Sequence, residues 1–258
     1  MRILGIDTAT STASVALIKN GIVVAEQISE APNPYSETAI ARPKSNHAEI
    51  LLPLIESLLR EAGCGLGDIS GFGISIGPGS FTGLRIGLST LKGLAYGGSI
   101  PIVGVSTLLA NAARVTDHEG LVCSFLNARK NEVYAALFRK EDDHVLYPMT
   151  DEAAAPAKVI VETVASLDGA APCLFLGDGV VPYGDLIRSY FGGRAKLTTG
   201  ECYPSVASAV ARLSVGRMMG ENDNALGVMV PTYLRAPECE MKLRSEVQPV
   251  EIPSITLR

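Results

Sequence analysis

The pattern of apolar and polar positions divides the chain into short elements. Ile3 to Thr8 is a mostly apolar run that ends in the polar turn Thr8–Thr12. Ala13–Lys19 and Ile22–Ile28 follow, joined by Asn20-Gly21, and an Asn-Gly pair between two apolar runs predicts a β-hairpin. After a loop containing Pro32, Pro34 and Pro43, Ser45 or Asn46 can cap a helix that runs to about Ala62, where Gly63 stops it. Gly71–Gly77 reads as a short buried strand. The turn from Gly77 to Thr82 then leads into a helix reaching Gly97, with Thr82 as its expected cap. Pro101–Val105 is another buried strand, and Thr107–Arg114 another helix.

The same order recurs. A shift of 120 residues lays Gly5–Ala9 over Phe125–Arg129 and Val15–Leu17 over Ala135–Leu137. A shift of 100 lays Ile74–Gly79 over Leu174–Gly179. Each half is then three strands, a helix, a strand, a Gly-x-Gly turn and a helix. This predicts two α/β lobes of mixed sheet with helices outside, residues 1–117 and 118–258, the second an atypical repeat.

Composition narrows the function. With 258 residues, 47% apolar and 19% charged, the chain is long enough for a core that needs neither disulfides nor a metal. The net charge of −5 disfavours a protein that holds nucleic acid by itself, and the absence of Trp weakens base stacking further. Five cysteines without a C-x-x-C pair fit free thiols in a reducing cytosol. The apolar run before Asp7 is too short for a secretory signal, and the longest apolar stretches are broken by Lys19, Arg212 and Arg217. The expectation is a cytoplasmic chain that does not enter membranes.

Candidate chemistry is sparse. Asp7 ends the first strand, where open α/β sheets place active-site groups. Two-metal catalysis needs further converging acids, yet the fourth strand ends in Gly77-Pro78-Gly79 and the repeat offers Asn127. The other reading is that Asp7 accepts hydrogen bonds from the turn that follows it. His47, His118 and His144 lack the i, i+4 spacing of a zinc-binding helix face, and no G-x-S-x-G accompanies them. A kinase of this duplicated kind needs a Gly-rich phosphate loop in each lobe, whereas the second loop reads Asn127-Ala128-Arg129-Lys130-Asn131.

The first-lobe helices say more. Apolar side chains from Ile50 to Ala62 cover about 200° of the helical wheel, wider than one sheet-facing stripe. The second helix carries Gly83, Gly87, Gly93 and Gly97, small residues that admit a close neighbour. Either loops of the chain cover this excess or a partner helix does.

Gly77-Pro78-Gly79-Ser80-Phe81-Thr82-Gly83-Leu84-Arg85-Ile86-Gly87-Leu88, followed by Lys92-Gly93-Leu94-Ala95, resembles the hallmark of the TsaB (YeaZ-like) family. Gly5-Ile6-Asp7-Thr8, Asn46-His47-Ala48-Glu49, Glu132-Val133-Tyr134 and Pro231-x-Tyr233-Leu234-Arg235 support the likeness, which spans nearly the whole chain. The resemblance implies duplicated ribonuclease-H-like lobes of the actin/Hsp70/sugar-kinase type. It also implies an accessory role in making threonylcarbamoyladenosine in tRNA, as the non-catalytic paralogue of the catalytic subunit TsaD.

TsaD binds metal through a histidine pair, and the corresponding stretch here, Val105–Asn111, contains no histidine. A peptidase label attached to the superfamily finds no support in these residues. The family usually has Asp where this chain has Asn127, so a role there needs hydrogen bonding rather than charge.

The resemblance further implies that the helix pair 45–62 and 83–97 meets its counterpart in TsaD as a four-helix contact, with self-association when the partner is absent. His47, Leu51, Leu52, Leu59, Arg85, Gly87 and Leu91 are the expected interface residues. A TsaE-like ATPase and tRNA are expected to join through the complex. No cofactor is expected to bind tightly, and the subunit contact is where ATP or ADP would lodge. The rival readings are an ATP-dependent small-molecule kinase of the same fold and a stand-alone homodimer.

Overall fold

A computed structural model describes residues 1–29, 47–97, 100–141, 145–167, 171–219 and 229–235. The first sheet holds β1 (Arg2–Asp7), β2 (Ser14–Lys19), β3 (Ile22–Ile28), β4 (Gly71–Gly77) and β5 (Ile102–Ser106), in the order β3-β2-β1-β4-β5. The first three strands pair antiparallel, and β4 and β5 add in parallel. Asn20 and Gly21 both take positive φ, 52° and 84°, as a hairpin turn matched to strand twist requires.

The second sheet repeats the plan. Its path is β8 (Val145–Pro148), β7 (Glu132–Glu141), β6 (Gly120–Arg129), β10 (Cys173–Leu176) and β11 (Ala195–Thr198), again three antiparallel strands followed by two in parallel. One added strand, β9 (Ala153–Pro156), pairs with the start of β7. Gly77 and Gly177, at the ends of β4 and β10, adopt φ of 115° and 130°, so even the backbone of the Gly-x-Gly turn is repeated. The order is that of a ribonuclease-H-like lobe present twice.

Helices α1 (His47–Glu61) and α2 (Phe81–Tyr96) cover the outer face of the first sheet. Leu51, Ile55 and Leu58 of α1 join Leu88 and Leu91 of α2 over Leu4, Ile6, Val15, Leu17, Phe72 and Ile74. The N-cap of α2 is Ser80 rather than the expected Thr82; its hydroxyl accepts from the Gly83 N–H at 3.2 Å. The proposed cap of α1 at Ser45 or Asn46 lies outside the described residues, as does His144. Helices α4 (Ala157–Leu167) and α5 (Val180–Phe191) cover the outer face of the second sheet.

The inner layer is exchanged between the halves. Helix α3 (Thr107–Ala113) follows the first sheet in sequence, yet Leu108 and Ala112 pack with Val122, Leu126, Phe138 and Leu176 of the second. Helix α6 (Val206–Met219) follows the second sheet, yet Ala211 packs on Ile3 and Ile18, and Val210 joins Val103 and Val105 of the first. Both helices lie between the sheets, so small residues suit them on every side: Ala207, Ser208, Ala209, Ala211 and Ser214 are all buried. The sheet answers with glycines. A β-carbon at Gly73 would stand 2.3 Å from the Ser214 Oγ. The expected division at 117/118 falls in the connection from α3 to β6, and both inner helices lie across it.

Candidate partner-binding surface

Three features meet around the carboxyl ends of β1 and β4: a buried acid, an outer helix pair, and a returning segment of chain.

Asp7 is buried at the end of β1. Its Oδ1 accepts from the Ser75 hydroxyl and from the Ala9 N–H at 3.3 Å. Burial pushes its carboxyl above the usual range; the Ser75 and Ala9 hydrogen bonds and the charges of Arg114 and His47 pull the other way. Among the described residues no group of three His, Cys, Asp or Glu side chains could hold a metal ion. The bond from the Ala9 N–H is one from the turn that follows Asp7, and Ser75 adds a second from β4. Asn127, its counterpart in the second lobe, accepts from the Arg129 N–H at 2.9 Å and donates its own N–H to Asp178 at 2.9 Å. The turn beyond it is made by Arg129, Lys130 and Asn131, all at positive φ.

Of the residues expected at an interface, several lie inside the protein. His47, Leu51, Leu59, Gly87 and Leu91 are buried, although Leu59 also borders the groove described below. Leu51 and Leu91 are core contacts of the first sheet. Gly87 packs against the chain's own Thr8. A β-carbon there would stand 2.3 Å from the Thr8 Oγ1, so the glycine lets α2 settle on the β1–β2 turn. At Gly93 and Gly97, by contrast, nothing lies within 4 Å of an added β-carbon. The wide apolar arc of α1 thus divides: most of it is core, and Leu52, 50% exposed, is its outward part.

That outward part borders a shallow, mostly apolar groove of about 400 Å³ between α1 and α2, lined by Leu52, Pro53, Glu56, Leu59, Leu66 and Leu94. Tyr96, 85% exposed, stands at the end of α2. At 100° per residue, the buried positions Leu84, Leu88, Leu91 and Ala95 mark the sheet side of α2. Leu94 lies toward α1, and Thr82, Ile86, Ser89 and Gly93 share the outermost face. That face is built from small or half-buried side chains.

Arg85 is exposed but engaged. Its guanidinium lies 3.7 Å from the centre of the Phe81 ring, and its Nε donates to the Tyr233 hydroxyl at 3.0 Å. The Phe81 and Tyr233 rings are 4.9 Å apart. Tyr233 belongs to residues 229–235, which return along α2: Lys92 donates to the Met229 carbonyl at 2.8 Å, and the Thr232 N–H donates to the Ile76 carbonyl at 2.7 Å. The segment then reaches the second lobe, where Arg235 donates to the Ala128 carbonyl at 3.2 Å and pairs with Glu132 at 3.0 Å. The Pro-x-Tyr-Leu-Arg string, legible in sequence only as part of a family likeness, is the structural complement of Phe81 and Arg85.

Residues 41–242 match the family model described as TsaD: tRNA N6-adenosine threonylcarbamoyltransferase. The chain is 35% identical over 171 residues, 66% of its length and 68% of the relative's, to the tRNA threonylcarbamoyladenosine biosynthesis protein TsaB of Escherichia coli K12. It is 30% identical over 94% of its length, and 97% of the relative's, to the protein of that name from Bacillus subtilis 168. A crystal structure from Pseudomonas aeruginosa, of an uncharacterized protein with similarity to peptidase YEAZ, superposes with a TM-score of 0.72 at 26% identity. It covers 91% of this chain and 99% of its own.

Proposed function

Because the chain belongs to the TsaB family of tRNA threonylcarbamoyladenosine biosynthesis proteins, we propose that it serves that pathway as a non-catalytic subunit docking a TsaD-type catalyst on the outer face of α1 and α2. The observation that carries this reading is the groove bordered by Leu52 and Leu94, with Tyr96 exposed beside it. Exposed apolar side chains gathered along a helix pair mark a surface that another helix pair can cover. The free face of α2, with Ser89 and open space at Gly93, admits close approach of a neighbouring backbone.

The chemistry around Asp7 supports an accessory role. Its Oδ1 is taken by Ser75 and Ala9, and the second-lobe turn carries Arg129, Lys130 and Asn131 where a phosphate-binding kinase loop would need glycine. On this reading tRNA and a TsaE-like ATPase join only through the complex, in keeping with the net charge of −5. No cofactor is held tightly by the isolated chain, and ATP or ADP has its place at the subunit contact. The same face pairs two copies when the catalyst is absent, and the protein works in the cytoplasm.

Leu52→Glu tests the reading directly. The variant should fold and melt as the parent does, because Leu52 is half exposed, yet lose co-purification with the TsaD-type protein of the same organism. Burying an unpaired carboxylate in the contact should weaken the complex by about a hundredfold or more. Normal binding by a folded Leu52→Glu chain would place the contact elsewhere.

A further inference from the structure

We propose that residues 229–235 are a strap that positions the docking helix α2 and ties it to the second lobe, with Tyr233 and Arg235 as its positioning residues. The proposal rests on the docking reading above for its consequence, but its structural basis is independent of any partner.

Helix α2 is held on three sides. Leu84, Leu88, Leu91 and Ala95 fasten it to the sheet, and Leu94 faces α1. The third side is the stripe Phe81, Arg85, Lys92, which at 100° per residue lies roughly opposite Leu94. Every member of that stripe is engaged by the strap: Phe81 and Arg85 by Tyr233, Lys92 by the Met229 carbonyl. Among the described residues it is the strap that covers this flank of α2, and without it Arg85 would keep the stack on Phe81.

The strap is anchored at both ends. At the first lobe the Thr232 N–H takes the Ile76 carbonyl, next to Gly77, where a β-carbon would meet the Thr232 oxygen at 2.5 Å. At the second lobe Arg235, largely buried, makes a charge-assisted bond to Glu132 and a second to the Ala128 backbone, at the β6–β7 turn. Both polar partners of Arg235 among the described residues belong to the second lobe, and within the strap Arg235 is joined to the helix through Leu234 and Tyr233. Loosening the second-lobe anchor should be felt at α2, and the orientation of the docking face follows from contacts outside it. Pre-ordering a docking surface lowers the ordering cost when a partner binds.

Hydrogen exchange of the full-length chain, alongside calorimetric titration with the TsaD-type partner, separates the possibilities. Tyr233→Ala should speed exchange of the amides in residues 81–92 by about tenfold or more and raise the dissociation constant about tenfold. Arg235→Ala should do the same in milder degree, although the polar partners it loses are on the second lobe. Tyr233→Phe keeps the ring on Phe81 and should restore affinity to within about threefold of the parent, a rescue that a general loss of stability would not give. Should Tyr233→Ala fail to fold, Arg235→Ala and Tyr233→Phe carry the test between them. Unchanged exchange at α2 overturns the proposal, and so does faster exchange with unchanged affinity. Failure of the docking reading looks different: Leu52→Glu then binds normally, while the hold of the strap on α2 is still read by exchange.

Discussion

Gly5 of β1 lies directly beneath Ala207 of α6: a β-carbon on Gly5 would stand 2.1 Å from the Ala207 carbonyl oxygen. The neighbour is backbone, which cannot rotate away as a side chain would. The expected outcome for Gly5→Ala is a loss of at least ~1–3 kcal/mol of stability, read by chemical denaturation. Gly93→Ala provides the contrast. It meets nothing within 4 Å on an exposed helical turn, and should gain ~0.5–1 kcal/mol from helix propensity.

Leu59 and Leu52 sit two turns apart in their consequences though they share one helix. Leu59→Glu puts a carboxylate at an 8% exposed position in the first core. It should lower the melting temperature sharply or abolish folding. Circular dichroism distinguishes it from Leu52→Glu, which should keep the parent's transition. Gly87→Leu belongs with Leu59→Glu, because Thr8 already occupies the space its side chain would need.

Thiol reactivity should follow burial. Cys123 and Cys173 are buried on neighbouring strands, and loss of solvation pushes the Cys173 thiol up to about 12 and the Cys123 thiol well above its ordinary value. Since the thiolate is the reactive form, both should resist alkylation at neutral pH until the chain unfolds. Cys202 is exposed and should be alkylated in the native protein. Mass mapping of iodoacetamide adducts checks the order; early modification of Cys173 would contradict the packing of the second core.

His118 sets a direction for stability against pH. Its imidazole is buried against the Leu121 carbonyl, 3.0 Å from Nε2, and burial lowers its pKa below the ordinary 6.5. The unfolded chain therefore binds a proton before the folded one does. Stability contributed by neutral His118 is present above about pH 6.5 and is lost as pH falls from there through the lowered folded value. His118→Gln should flatten the dependence as pH falls below the ordinary histidine value. An unaltered slope would mean that His118 titrates freely.

Much of the plan was legible because it is local. Asn20-Gly21 specifies its hairpin, and the two Gly-x-Gly turns announce the repeat through a backbone need that only glycine meets easily. The direction of the helix faces was not legible, since an apolar arc has the same pattern whether it meets a sheet or a partner. The same pattern led to Leu51, Leu59 and Leu91 being expected at an interface; in the folded chain they are buried against the first sheet, with Leu59 also at the edge of the groove. The inner-layer exchange was hidden for another reason: Gly5 and Ala207 lie far apart in sequence, and a small-residue helix covered on all sides has little periodicity. A signal existed in Gly5, Gly71 and Gly73, glycines on adjacent strands matched by an Ala- and Ser-rich helix. The strap was visible as a motif, but its contact with Phe81 and Arg85 needed the fold.

The exchange of α3 and α6 sets a timetable for the nascent chain. The first sheet is complete once Ser106 has emerged from the ribosome, but Ile3, Ile18 and Gly73 have no cover until α6 is made, about a hundred residues later. At ~5–20 residues per second, that leaves the Ile3 and Ile18 part of a finished sheet's inner face without its helix for on the order of 5–20 s. Ala110 of α3 covers Val103 and Val105 in the meantime. The amino-terminal half therefore cannot mature alone. Its folding waits on the far end of the message, and release of a chain truncated before Val206 yields an open sheet that invites aggregation or chaperone capture.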